Sequence, residues 1–166
     1  MDPATIQRSD LSTKLRVVAG SWRALLGRGS LVTDLPPSDG DRDQAWSVLE
    51  YGAHVRDVSE VFLERLTLIL KKNNPTLLDW DHEQAAIDGA YSQQDPAKVA
   101  FHLASTVGKA AGIVGRIQAD RWDRPGTRSD GFQFTAETCA YYLLHELTHH
   151  LHDAEEVIKA LTEDDD

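Results

Sequence analysis

The chain has 166 residues, with 17 Lys and Arg against 27 Asp and Glu, a formal net charge of −10 with seven neutral His. That length buries a core without disulfide or metal staples, and a composition 41% hydrophobic and 27% charged excludes a disordered or fibrous chain and fits one domain. The acidic surplus excludes a phosphate-backbone binder, whose affinity rests on Lys and Arg displacing counterions, and opposes docking on anionic membranes.

The first helical segment spans roughly Asp10 to Leu26, where Leu11, Leu15, Val18, Trp22, Leu25 and Leu26 recur at three- and four-residue intervals and form one apolar stripe. Gly27 and Gly29 stop it, and the stretch LVTDLPPSDGDRD, rich in Pro, Asp and Gly, reads as a linker. A second stripe runs from Trp46 to Leu70 through Leu49, Ala53, Val58, Phe62, Leu66 and Ile69, closing on Lys71 and Lys72, which suit a helix C-terminus. Asn73 to Gln94 has no strong period, although Glu83 to Tyr91 suits a short helix. Asp95 and Pro96 form an N-cap and N1 pair for a third helix through Val99, Leu103, Val107, Val114 and Ile117. The segment DRWDRPGTRSDGF breaks it, and Thr135 caps a fourth helix through Leu143, Leu147 and Leu151 toward Leu161.

No segment alternates convincingly with period two, and there is no internal repeat. The fold class is therefore all-α: a four-helix bundle over residues 1–162 with an acidic, frayed tail at 163–166. The two longer connections leave room for a crossover topology. The first thirty residues contain no apolar block of signal-peptide length, no apolar run approaches the ~20 residues of a membrane span, and the single Cys139 cannot form an internal disulfide. These features predict a soluble, cytoplasmic, reduced protein in which Cys139 is a small buried side chain.

Four of the seven His fall within HELTHHLH on the fourth helix. His145 and His149, at i and i+4, lie about 40° apart on a helical wheel, so both imidazoles can converge on one ion, with His152 near the same face. His150 lies about 140° from His145, nearer Leu143, and reads as a packing or hydrogen-bonding residue. The string His145-Glu146-Leu147-Thr148-His149 also satisfies the H-E-x-x-H pattern of zinc peptidases. The extended version fails, because it requires Gly at position 152 and His at 155 where the chain has His152 and Glu155. A bundle also lacks a strand edge to align a peptide.

A third ligand is better sought on a facing helix, and His54 in WSVLEYGAHVRD is the candidate, with Glu50, Tyr51 and Asp57 around it at helical spacing. An equally ordinary role for His54 is a partly buried imidazole hydrogen-bonded to Glu50 or Asp57. His82 and His102 have no comparable support.

The pairing of W-S-x-L-E-Y-x-x-H-x-R-D-V in the second helix with T-R-S-D-G-x-x-F-T and Y-x-L-H-x-x-x-H-H-L-H-D in the last resembles the DinB-like superfamily, particularly its actinobacterial members, from about Trp46 to Ala154. That superfamily also contains mycothiol-dependent maleylpyruvate isomerases and bacillithiol S-transferases. The resemblance implies a four-helix bundle, often dimeric, with one His of the second helix and a His-x-x-x-His pair of the last around a divalent metal. Carried onto this chain these are His54, His145 and His149. In the isomerase branch the first residue of the last-helix pair is commonly Glu; His145 stands there in this register, a departure that leaves the metal site intact.

The activity the resemblance implies is a metal-dependent, mycothiol-type thiol S-transferase. A divalent metal, zinc first and nickel second, would lower the pKa of a low-molecular-weight thiol for attack on an electrophilic small molecule. Glu50, Tyr51 or Asp57 would orient ligands or substrate. The partners implied are a small-molecule thiol, its electrophile and a second copy of the chain, with no nucleic acid and no membrane. Two other readings stand beside it: a metallohydrolase with Glu146 as base, and a non-enzymatic metal-binding bundle.

Overall fold

In the computed structural model, which describes residues 7–36 and 46–163, the four apolar stripes become the four long helices. These are α1 (Arg8–Leu26), α2 (Val48–Lys71), α4 (Pro96–Val114) and α5 (Ala136–Glu163), with a short α3 (His82–Asp88) between the second and third. Their stripes supply one continuous core that includes Leu11, Leu15, Trp22, Leu49, Leu66 and Leu147, all essentially inaccessible. The linker expected after Gly27 begins with a 3₁₀ turn at Gly29–Val32, and its remainder from position 37, like the acidic tail from position 164, lies outside the described residues. Among the described residues no helix is long and apolar enough to cross a membrane.

Two caps fix where the helices begin. Ser47 opens α2 with a capping box, its hydroxyl accepting from the Glu50 N–H while the Glu50 carboxylate accepts from the Ser47 N–H at 2.8 Å. Asp95 caps α4 by accepting from the Ala97 N–H at 2.8 Å, with Pro96 at the first helical position.

The bundle is not a simple up-down meander. α1 packs on α4 and α5, and α2 packs on the same two helices, so α1 and α2 face each other only across the diagonal. The connection after α1 and the segment before α5 therefore each join helices that face across the diagonal, whereas the longest connection, 72–95, joins the neighbours α2 and α4. Trp22 of α1 donates its indole N–H to the Leu147 carbonyl of α5 at 2.9 Å, and Ser12 donates to the Ala111 carbonyl of α4 at 2.8 Å. Where α1 and α2 do meet, Gly52 allows it: a Cβ there would lie 2.8 Å from Leu26 Cδ2.

A three-stranded sheet, not expected from the sequence, joins a short strand just after α2 to a hairpin in the segment before α5. β1 (Thr76–Leu77) pairs parallel with β2 (Pro125–Arg128), which pairs antiparallel with β3 (Gln133–Thr135). The strands have two to four residues, too short for alternation to be visible as a period. The sheet is fastened to the C-terminal end of α2, whose last carbonyls have no helical partners. Arg124 donates to the carbonyls of Ile69 at 2.9 Å and Lys72 at 2.6 Å, and Arg121 donates to that of Leu70. Gly126 lets β2 lie against α2, since a Cβ there would come within 2.7 Å of Ile69 Cγ1. This docking places the β2–β3 hairpin over one flank of α2 and α5.

Candidate metal centre

Between α2, α5, the hairpin and the start of α3 lies a cavity of about 560 Å³. Its α2 wall is the ladder Tyr51, His54, Val58, Phe62 and Arg65, and its α5 wall is Tyr142, Glu146 and His150. Each set recurs at three or four residues, the spacing that keeps side chains on one helical face.

At the end nearest the start of α2, three potential ligands converge. His54, Glu146 and His150 offer ligand atoms that all lie within 4.8 Å of one another. The His54 and His150 rings meet edge to face with centroids 4.8 Å apart, and His150 Nε2 lies 3.6 Å from Glu146 Oε2. His54 is 5% exposed and its Nδ1 is buried without a hydrogen-bond partner among the described residues. Its ring is enclosed by Trp46 and stacked on Trp80. Asp153, one turn beyond His150, lies 3.1 Å from His150 Nδ1. An Nδ1–H donated to that carboxylate leaves Nε2 facing Glu146, the tautomer a metal-ligating imidazole needs.

The electrostatics follow from burial and these contacts. Burial, reinforced by facing His150, lowers the His54 pKa to about 4, so the ring is neutral at physiological pH. Burial also acts to lower His150, but its contacts with Glu146 and Asp153 outweigh this and raise it. The His150 contact in turn holds Glu146 below the usual carboxylate range. Two imidazoles and an ionised carboxylate form a borderline N/O donor set suited to zinc and its neighbours. The 3.6 Å between His150 Nε2 and Glu146 Oε2 matches the roughly 3.4 Å that two ~2.1 Å bonds span at a tetrahedral angle. The residues present fit a divalent ion.

The arrangement differs from the predicted one in register. His145 and His149 do stack on each other, with rings 5.7 Å apart and nearly parallel, but on the exposed side of α5, and the structure does not bring them to His54. The reason is their position relative to the core. Both flank the fully buried Leu147 at two residues, about 160° around the helix, whereas His150 is three residues on, about 60° away. The angle from His150 to Leu147, not to His145, decides which way α5 presents it. His149, His150 and Asp153 form a second group of possible ligands facing outward, sharing His150 with the first.

Of the residues predicted to orient substrate, Tyr51 is in place, its ring 5.7 Å from that of His150. Glu50 is instead turned back into the capping box of α2. Asp57 is held by Arg56 at 2.7 Å and by the Tyr91 hydroxyl, which donates at 2.6 Å, and lines no wall of the cavity. Cavity residues without a signal in the sequence are Arg65, Trp80, His82 and the hairpin aromatics Phe132 and Phe134. Arg65 belongs to α2 itself, whereas Trp80, His82, Phe132 and Phe134 come from segments that the docking of the sheet brings against α2 and α5.

A sequence model of the DinB superfamily matches residues 20–154. The chain belongs to the DinB superfamily. Among solved structures, this DinB chain is similar to YfiT from Bacillus subtilis, described as a probable metal-dependent hydrolase with an unusual four-helix bundle topology. The TM-score is 0.80 at 17% identity, covering 98% of this chain and 90% of that one. It is also similar to a mycothiol-dependent maleylpyruvate isomerase, with a TM-score of 0.69 at 12% identity over 91% of this chain. There the DinB chain spans only 62% of the isomerase. No curated protein sequence matches significantly. At these identities the likeness establishes the bundle and its topology.

Proposed function

We propose that this protein is a divalent-metal-dependent enzyme that uses a low-molecular-weight thiol as cosubstrate, with His54, Glu146 and His150 as the metal ligands. The observation that carries this reading is the convergence of the ligand atoms of those three side chains within 4.8 Å at the end of a cavity, one of them on a buried imidazole whose Nδ1 has no partner among the described residues. When bound, a divalent ion supplies Lewis acidity that lowers the pKa of a thiol toward neutrality. The chain's own residues do the rest. Asp153 fixes the His150 tautomer, Trp46 and Trp80 exclude water from His54, and Tyr51 walls the site beside His150. Cys139 is buried and its thiol pushed up to about 12, so the nucleophile arrives with the cosubstrate.

The thiol reading is supported by the order of the α5 ligands. In the register the structure presents, the pair is Glu146 then His150 at i and i+4, the Glu-first order noted above for the isomerase branch, and one solved relative is a mycothiol-dependent isomerase. A metal-dependent hydrolase is the second reading, favoured by the description of YfiT and by Glu146 sitting beside the proposed ion as a possible base.

Elemental analysis after zinc or nickel loading tests the ligand set. His54→Ala and His150→Ala each lose the metal, while His145→Ala and His149→Ala keep it. Full metal in His54→Ala would move the ion to the outward group His149, His150 and Asp153. Glu146→Gln separates the two chemistries: as a ligand it loses affinity together with thiol conjugation, whereas as a hydrolytic base it keeps full metal and loses turnover. Conjugation of mycothiol or bacillithiol to a panel of electrophiles by the loaded protein completes the test, and no rate above background with either thiol counts against the thiol reading.

A further inference from the structure

Arg65 lies eleven residues beyond His54 on the same face of α2, roughly 16 Å along the axis, and lines the same cavity. It is 6% exposed, which is rare for a guanidinium without a carboxylate partner. Nη2 donates to the Leu78 carbonyl at 2.9 Å, and Nε is buried with no acceptor among the described residues. No carboxylate lies within ion-pair distance of it among the described residues. Phe62 and Phe134 hold its plane from their rings, with Cζ 5.2 Å and 5.6 Å from the two centroids. Ring faces attract the charge but accept no N–H in the guanidinium plane. The other cation of the cavity, Arg128, is compensated, because its Nε and Nη2 both donate to Asp130. Leaving a buried charge and a buried donor unpaired costs free energy, and a ligand anion would recover it.

We propose that Arg65 is the anion subsite of this cavity and takes the carboxylate of a small organic acid. The acid's apolar body runs along Phe62, Phe134 and Tyr142, whose rings lie 5.4–6.1 Å apart, toward His54. The recognition is a charge-assisted hydrogen bond, for which a carboxylate is a far better acceptor than its neutral amide. That the acid's far end is the reacting one rests on the metal reading above; the carboxylate site itself does not.

The test is calorimetric titration of 3-phenylpropionate and 3-phenylpropionamide into chelator-treated and zinc-loaded protein. In both preparations the acid binds roughly ten-fold or more tightly than the amide. Arg65→Met abolishes the preference while retaining the amide affinity, and Arg65→Lys keeps part of it. In the unmodified protein the Arg65 Nε–H resonance shifts on adding the acid and not the amide, a readout that stands if Arg65→Met fails to fold. Equal affinities for acid and amide, an unmoved Nε–H, or a preference that persists in Arg65→Met would overturn the proposal. So would a preference confined to zinc-loaded protein and lost in His150→Ala, which would put the carboxylate on the ion. Because the chelator-treated arm needs no metal, failure of zinc uptake sinks the metal reading without touching this one.

Discussion

His54 of α2 and His150 of α5 meet at right angles with their ring centroids 4.8 Å apart, joining two helices at the end of the cavity. His54 is held by Trp46 and Trp80, and His150 by Asp153, which fixes the ring from behind. Asp153→Asn removes that charged acceptor and leaves every proposed ligand in place. We expect it to weaken zinc affinity about 10- to 100-fold, the range typical of lost outer-sphere partners. Competition against a chromophoric chelator measures this, and His149→Ala is the control expected to change affinity little. An effect of His149→Ala as large as that of Asp153→Asn would favour the outward group.

Glu50 and Ser47 act in the start of α2 rather than in the cavity. Ser47→Ala removes one half of the capping box at a nearly inaccessible residue. The expected loss is about 1 kcal/mol, or roughly 2–4 °C in Tm for a chain of this size. Metal stoichiometry should be unchanged. A Ser47→Ala protein of normal Tm would mean that packing against α4 and α5 alone sets where α2 starts.

The long helices are legible because each carries an apolar stripe of several turns and two have explicit start signals, Asp95 with Pro96 and Thr135, whose hydroxyl accepts from the Thr138 N–H. His54 was legible for a related reason: a His within an otherwise apolar helical face invites a partner from a facing helix. The proposed α5 ligands are harder to read: the angle between the histidines favours His145 and His149, whereas the angle to buried Leu147 favours His150, which the structure sets beside His54. The sheet and the cavity wall it supplies were hidden for a different reason. Strands of two to four residues carry no period, and the contacts docking them are arginine donors to the carbonyl end of α2, a long-range match that no local pattern encodes. Arg65, Phe132 and Phe134 acquire their roles only once that docking is known.

Cys139 gives a direct check on the core. It is 1% exposed, and burial pushes its thiol up to about 12, only partly offset by Arg65. A thiol this protonated and enclosed is a poor nucleophile. The native protein should therefore react with Ellman's reagent at neutral pH only through global or local opening, with one equivalent released promptly in denaturant. Prompt labelling without denaturant would show that the packing of α5 against α2 opens readily.

The hairpin that closes the cavity has its own electrostatic signature. Arg128 donates from Nε at 2.9 Å and from Nη2 at 2.5 Å to Asp130, which also accepts from the Phe132 N–H at 3.0 Å. The Arg128 contact first, and the Phe132 N–H second, lower the Asp130 pKa from 3.8 to about 2. A carboxylate with a depressed folded-state value stabilises the fold fully above its unfolded value and loses that contribution as pH falls through the folded one. The hairpin contribution should thus be intact at pH 5 and above and decline from about pH 4 toward 2, with salt weakening it because the pair is exposed. NMR titration of the Asp130 carboxyl carbon should give a midpoint near 2. In Arg128→Gln the midpoint returns most of the way to an ordinary aspartate, the remaining depression being what the Phe132 N–H supplies. An unshifted midpoint in the unmodified protein would mean that the arginine does not hold Asp130 in solution, leaving Asp79, 3.6 Å from the Arg128 Nε, as its carboxylate partner.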